Sequence, residues 1–156
     1  MIYDLKFFTQ YSQFYILDSG TIGESDEEEF WSNQALNDRL ALEDGIMGIT
    51  VENDLTSVIG ELEILKEPNP NPNLSADHIV EGSLEIKSGL LEIQDCPTST
   101  VIHSIPMDNH HYRVRVYSFN LNNLYEGDEP KDRYRIEIWK EESSPREVLK
   151  QWSSNN

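Results

Sequence analysis

The residues most able to hold a metal ion are four histidines and a single cysteine. His110 and His111 are adjacent, so on a strand their side chains point to opposite faces and chelate one ion poorly. His103 precedes a turn that returns the chain toward them, and Cys96 lies a few residues earlier. Because these residues lack the ligand spacing of a zinc site, we predict histidines at the surface or at a sheet edge, with no bound metal and no cofactor.

Carboxylates are the next candidates for chemistry. Two clusters, Asp26 with Glu27 to Glu29 and Asp128 with Glu129 and Asp132, could offer oxygens to calcium, but neither has the alternating spacing of a calcium-binding loop. The chain contains no G-x-S-x-G, H-E-x-x-H, Walker or G-x-G-x-x-G motif. We therefore predict that the protein is not an enzyme. A site built from clustered carboxylates or from His103 and His110 is the remaining enzymatic alternative.

Two segments near the C-terminus, 111–119 and 132–140, combine arginines with aromatic residues. They read HYRVRVYSF and DRYRIEIWK, and this strict alternation predicts two half-buried strands. The apolar faces carry Tyr112, Val114 and Val116 in the first strand and Tyr134, Ile136 and Ile138 in the second. The opposite faces carry Arg113, Arg115, Tyr117 and Phe119, then Arg133, Arg135, Glu137 and Trp139.

That second face has three interpretations. Arginines beside aromatic rings can bind single-stranded nucleic acid, but a net charge of −17 opposes this. We expect the arginines to pair with carboxylates of the same sheet. Exposed Tyr117, Phe119 and Trp139 leave open a ligand-binding module for a sugar, a lipid headgroup or calcium.

The acidic excess is concentrated in the first half of the chain. Positions 18–63 hold thirteen carboxylates against one arginine, whereas positions 110–150 are balanced in charge. Such an array suits a basic protein partner, because complementary charge steers association and disfavours wrong partners. It can also serve solubility alone, and both interpretations stay open.

The remaining elements are short strands separated by turns. We predict strands at 13–17, 46–51, 56–65 and 101–105, and a hairpin of 78–86 with 90–94 around Lys87, Ser88 and Gly89. One helix is predicted over 30–44, with Ser32 as N-cap and Gly45 at its end. A helical turn is predicted at 145–152. The whole predicts an all-β fold, a single-domain antiparallel β-sandwich over 1–152 with one short helix and a frayed tail at 153–156.

The length of 156 residues suits one domain. The lone Cys96 favours a reducing compartment. The N-terminus lacks a continuous apolar signal-peptide core, and no apolar run approaches the ~20 residues of a membrane span. We predict a soluble, cytoplasmic protein and leave its oligomeric state open.

Taken in order, these elements resemble those of the competence protein J family. The resemblance spans about positions 10–119: the Tyr11-Ser-Gln-Phe14 strand, an acidic loop leading to Trp31, a short Ala/Leu/Asp segment closed by Gly45, and a proline-led turn into Tyr112-Arg113. The family is known for a member that inhibits a nuclease acting in DNA uptake. The resemblance implies a non-enzymatic inhibitor that masks the cationic cleft of a partner nuclease. From their chemistry, a charged rim beside an aromatic anchor, we select as partner-binding residues Asp26, Glu27, Glu28, Glu29 and Trp31.

Overall fold

The computed structural model describes residues 1–21, 27–53, 56–122, 125–126 and 129–153, and more than half of these residues lie in short strands. The two helices among them are α1 (Glu27–Phe30) and α2 (Asn33–Asp38). The strands are β1 (Ile2–Thr9), β2 (Gln13–Asp18), β3 (Leu40–Glu43), β4 (Ile46–Thr50), β5 (Thr56–Ile64), β6 (His78–Ile86), β7 (Leu90–Gln94), β8 (Val101–Pro106), β9 (His110–Phe119), β10 (Tyr125–Glu126), β11 (Glu129–Pro130), β12 (Arg133–Lys140) and β13 (Glu147–Lys150).

Two sheets pack face to face over one core, which confirms the predicted all-β sandwich. The first has the order β1-β5-β12-β9-β6-β13 and the second β3-β4-β2-β7-β8. Side chains from both sheets, such as Phe14 and Ile93 from the second and Leu62 and Val114 from the first, are fully buried between them. All the pairs are antiparallel except β5 with β12, which run parallel, and β10 pairs with β11 apart from both sheets.

The two alternating segments form the centre of the first sheet, as predicted. β9 and β12 pair antiparallel, with Val116 opposite Ile136. The apolar faces lie in the core because each strand turns its β-branched residues inward. The six inward side chains, Tyr112, Val114, Val116, Tyr134, Ile136 and Ile138, are all buried.

The predicted hairpin at 87–89 is wrong, because β6 and β7 belong to different sheets. The connection carries the chain from one layer to the other, and Ile86 and Leu91 meet in the core from opposite sides. Asp18 fixes this crossing by accepting hydrogen bonds from the backbone N–H and the hydroxyl of Ser88, at 3.0 and 2.6 Å. β6 instead pairs with β9 and β13.

The predicted helix over 30–44 is also wrong in extent. Ser32 caps α2 as expected, its Oγ accepting from Ala35 N at 3.1 Å. The helix ends at Arg39, whose backbone is left-handed at φ 62°. Residues 40–43 then form a strand rather than a third helical turn, because alternate leucines there reach the core while Ala41 packs outward. Gly45, at φ 79°, closes the β3–β4 turn.

The tail forms β13 rather than the predicted helical turn. Arg146 anchors it by donating to Asp38 Oδ2 and to the carbonyl of Leu40, both at 2.8 Å. On the other side of the sandwich, His103 Nε2 lies 2.7 Å from the carbonyl of Asp4, which links β8 to β1. The predicted frayed tail lies outside the described residues from 154 onward. Of the helices within the described ranges, neither has the length and apolar character needed to span a bilayer.

Candidate partner-binding site

Phe30 and Trp31 join α1 to α2 and hold both helices against the outer face of the second sheet. Phe30 is buried among Leu17, Ala41 and Ile46, while Trp31 is half-buried beside it. Their rings meet edge to face with centroids 5.5 Å apart, a favoured aromatic geometry. The aromatic pair therefore anchors the acidic segment that precedes it to the sandwich.

The indole of Trp31 is positioned by packing. Its Nε1 is shielded from solvent, and none of the described groups accepts a hydrogen bond from it. The ring lies over Gly48 of β4, where a side chain would occupy the same space. Ser32 immediately starts α2, so the chain leaves the anchor in a fixed direction. Trp31 thus presents one partly exposed aromatic surface from a rigid base.

The predicted acidic residues lie around this anchor to different extents. Asp26 falls outside the described residues. Glu27 and Glu28 belong to α1, and their side chains fall outside the described part of the structure. Glu29 is exposed, two residues from Trp31. The segment thus carries an exposed carboxylate next to a partly exposed aromatic ring, while its contact with a partner stays a prediction.

Further carboxylates that we did not single out lie at the β3–β4 turn. Glu43 and Asp44 are exposed there and line a polar cleft of about 250 Å³ with Asp18 and Glu85. Lys87 and His111 face the same cleft, so its charge is partly balanced. Asp18, Glu43 and Asp44 belong to the acidic excess of positions 18–63, which was the sequence signal for them. The sequence did not show which of these carboxylates stay exposed.

The arginine face is engaged within the chain, as predicted. Glu81 of β6 accepts from Arg113 Nε at 2.9 Å and from Arg115 Nε at 2.6 Å, and all three side chains are nearly inaccessible. Arg135 pairs with Glu61 and Glu63 of β5. These contacts occupy the guanidinium groups that a nucleic acid would need.

Tyr117 and Trp139 on that face are buried and Phe119 is half-buried, so the prediction that all three are exposed is wrong. Tyr117 and Trp139 are only 1% and 2% exposed. The segment at 67–73, which reads EPNPNPN and is called the Asn/Pro segment here, reaches this face: the carbonyl of Asn69 accepts from Arg115 at 3.0 Å, and the Asn69 amide donates to Glu137 at 3.3 Å. The guanidinium carbon of Arg115 lies 4.8 Å from the centroid of Trp139, a cation–π contact. Two of the three aromatic residues that favoured a ligand-binding module are therefore buried within the protein.

The histidines and the cysteine are dispersed. His103 contacts the Asp4 carbonyl, His110 is exposed, and His111 lies 3.7 Å from a carboxylate oxygen of Glu85. Cys96 is buried, with its sulfur 3.2 Å from the Gln13 amide. Throughout the described ranges, no three histidine, cysteine or acidic side chains come close enough to hold a metal ion. Asp128, part of the calcium alternative, lies outside those ranges.

Two solved structures share this arrangement of strands. One is ComJ from Bacillus subtilis, described as an inhibitor of the DNA-degrading activity of NucA, with a TM-score of 0.68 and 14% sequence identity over 90% of this chain and 99% of ComJ. The other is crocagin biosynthetic gene J, with a TM-score of 0.62 and 14% identity over 91% of this chain and 98% of that one. No family model and no curated protein sequence matches the chain. At 14% identity the likeness establishes the fold, and it confirms the resemblance to the competence protein J family at that level.

Proposed function

We propose that this protein is a non-enzymatic inhibitor that binds a DNA-degrading nuclease and covers its active-site cleft. The observation that carries the proposal is the fold shared with ComJ over 90% of the chain and 99% of ComJ, since ComJ is described as inhibiting the nuclease NucA. A shared fold alone does not transmit function. The proposal therefore also rests on the charge and the chemistry of the α1–α2 segment.

The charge distribution supports a cationic partner. The chain carries −17 overall, and Arg113, Arg115 and Arg135 of the first sheet are already paired with carboxylates of the same chain. Glu29, Glu43 and Asp44 are exposed, so their charges remain available to an approaching surface. A cleft that normally binds DNA phosphates is cationic, and a carboxylate array is complementary to it.

We assign the contact to the α1–α2 segment, with Asp26, Glu27, Glu28 and Glu29 as the charged rim and Trp31 as the anchor. Hot spots combine a well-packed aromatic residue with surrounding groups that exclude water. Trp31 is fixed against Phe30 and Gly48, so binding costs little ordering of this side chain. We place the complex in the cytoplasm, on the basis of the single cysteine.

The test is inhibition of DNA cleavage by a purified nuclease from the same genome, titrated with this protein at low and physiological salt. Replacing Glu27, Glu28 and Glu29 with Gln should weaken inhibition on the order of tenfold at low salt, with a smaller effect at high salt because exposed charges are then screened. The matched control replaces Glu67, Glu142 and Glu147, three exposed carboxylates elsewhere on the surface, with Gln.

The two variants change net charge equally, so they separate local contact from overall charge. If both weaken inhibition alike, the acidic segment is not the interface. If the unmodified protein leaves every tested nuclease of that genome fully active, the inhibitor function itself is refuted.

A further inference from the structure

A second cleft, of about 550 Å³, opens at one end of the sandwich and is distinct from the α1–α2 segment. Its walls come from both sheets, with Ile64 at the end of β5, Pro106 at the end of β8 and Tyr112 near the start of β9. A volume of this size falls within the range of ~300–1,000 Å³ that is typical of small-molecule sites.

The walls of this cleft combine apolar and polar groups, and three apolar side chains supply one part of them. Ile64 and Met107 are partly buried and pack on the main core, and Pro106 adds another apolar wall. The one side-chain hydroxyl in the wall, that of Tyr112, is satisfied because it donates to the carbonyl of Asp108 at 2.7 Å. An occupant that lies against Ile64, Pro106 and Met107 therefore gains from burying hydrocarbon.

The rim of the cleft, by contrast, is cationic. Lys66 lines it and takes part in no hydrogen bond or ion pair with the residues that the structure describes. Lys140 lines it too, and its Nζ lies 2.8 Å from Asp108 Oδ2. Two ammonium groups and one carboxylate leave a net charge of about +1 in a protein of net charge −17. Charge complementarity at this rim favours one negative charge on the occupant.

We propose that this cleft binds a small amphiphilic carboxylate of the medium-chain fatty acid type. Its alkyl chain would lie against Ile64, Pro106 and Met107, and its carboxylate would lie between Lys66 and Lys140. The proposal is independent of nuclease inhibition, because none of the residues of α1 or α2 lines this cleft.

Calorimetric titration of the unmodified protein with hexanoate, octanoate and decanoate tests the apolar part. Each added methylene that enters the cleft should tighten binding about fourfold, because burying one CH₂ contributes about 0.8 kcal/mol. Octan-1-ol should bind about tenfold more weakly than octanoate, because it lacks the charge-assisted contact with the lysines. Affinity that does not rise with chain length, or equal binding of the alcohol and the acid, overturns the proposal.

Variants at the rim test the carboxylate position. Lys66→Ala should weaken octanoate binding about tenfold, and Asp108→Asn should strengthen it severalfold because Lys140 is released from its ion pair. Lys6→Ala, at another exposed lysine outside the cleft, is the matched control and should change nothing. Equal effects of Lys66→Ala and Lys6→Ala would show general charge attraction and contradict the assigned site. The chain-length series uses the unmodified protein and stands even if a variant fails to fold.

Discussion

Gly48 lies directly beneath the indole of Trp31, so close that a β-carbon on Gly48 would come within 2.6 Å of Cζ2 of that ring. The same β-carbon would lie 2.8 Å from Cε2 of Phe30. The missing side chain at one position in β4 thus permits the aromatic pair to seat on the second sheet. The placement of the acidic segment depends on this contact, because Phe30 and Trp31 connect α1 to α2.

Gly48→Ala should therefore displace the aromatic pair and lower the free energy of unfolding by about 1–3 kcal/mol, the usual cost of overpacking. Urea unfolding followed by circular dichroism measures this loss. Gly82→Ala is the matched control, since its β-carbon would meet the flexible ends of Met47, Leu40 and Leu42 at 2.9–3.0 Å, which can shift. If the two variants lose equal stability, the close packing of Phe30 and Trp31 on Gly48 is not the cause of the loss in Gly48→Ala.

Glu81→Gln should be the more destabilising of two carboxylate replacements on β6. The Glu81 carboxylate is nearly inaccessible and forms ion pairs with Arg113 and Arg115. Removing its charge therefore leaves two buried guanidinium groups without their main partner. Burial lowers the pKa of Arg115, but hydrogen bonds with Tyr117 and Glu81 outweigh this and raise it above its ordinary value. Breaking a buried ion pair typically costs about 3–5 kcal/mol.

The control for Glu81 is Glu85→Gln, on the same strand and the same face. The Glu85 side chain is 41% exposed and lies 3.6 Å from Lys87 and 3.7 Å from His111. Exposed pairs of this kind contribute about 0–1 kcal/mol. Thermal and urea unfolding of both variants should separate by more than about 2 kcal/mol, and comparable losses would mean that the arginine network does not stabilise the sheet.

His78 makes the stability of the C-terminal segment depend on pH. Its ring is fully buried, with Nδ1 accepting from the Trp152 N–H at 3.0 Å and Nε2 lying 2.8 Å from the Asp38 carbonyl. Burial, with a contribution from the charge of Arg39, lowers the pKa of His78 below 6.5, although the contacts with Asp38 oppose this. The neutral ring is therefore the folded form, because a proton on Nδ1 would face the Trp152 donor.

Because the pKa of His78 is lowered by folding, the protein should become less stable as the pH falls. Above about pH 6.5 the ring is neutral in the folded and the unfolded states, and the full contribution of His78 to the free energy of unfolding is present. As the pH falls below 6.5, the unfolded chain takes up the proton first, so the free energy of unfolding decreases. The loss should reach up to about 1.4 kcal/mol per pH unit until the folded-state pKa is passed. Urea unfolding between pH 5.5 and 7.5 measures this slope. The slope should persist in His103→Gln, whose ring lies near the surface against the Asp4 carbonyl and the Tyr3 ring, and it should flatten in His78→Gln.

The sequence was sufficient for features that depend on local pattern. The alternation at 111–119 and 132–140 predicted β9, β12 and their inward faces, because a period of two leaves one choice of buried side. The sequence around 87–89 did not distinguish a hairpin from a connection between the two sheets, since both need a short polar segment between alternating strands. At 40–43 the pattern is too short to decide, because Leu42 lines up with Trp31 and Ala35 on a helix whereas Leu40 and Leu42 alternate as in a strand, and pairing with β4 decided between them.

At the candidate site, too, the residue types could be predicted from the local sequence, but their packing could not. Trp31 and the acidic run stand out by residue type, but their seat on Gly48 depends on two segments brought together by the sheet. Tyr117 and Trp139 were predicted to be exposed because the sequence gives no sign that the Asn/Pro segment reaches their face of the sheet. That burial follows from single long-range contacts such as Arg115 with the Asn69 carbonyl, which leave no local pattern.

Tyr134→Phe should destabilise the junction between β12 and the residues that follow β4. The Tyr134 hydroxyl donates to Asp132 Oδ2 and accepts from the Glu52 N–H, both at 2.7 Å, and the ring is fully buried. Burial foremost, and then the charge of Asp132, raises the pKa of Tyr134 well above 10, so the phenol stays protonated as a donor. Without the hydroxyl, the Glu52 N–H and Asp132 Oδ2 each lose a hydrogen bond. We expect the free energy of unfolding to fall by about 1–3 kcal/mol for each group left unsatisfied.

Tyr112→Phe is the matched control, since the Tyr112 hydroxyl makes one bond, to the Asp108 carbonyl at 2.7 Å, at a site that water reaches more readily. We expect a loss of about 0.5–1.5 kcal/mol there, because water replaces the lost partner. Urea unfolding at pH 7 gives both losses, and amide hydrogen exchange at Glu52 shows whether the larger loss is local. Unchanged protection of that amide in Tyr134→Phe would contradict the assigned role of the hydroxyl in holding the junction.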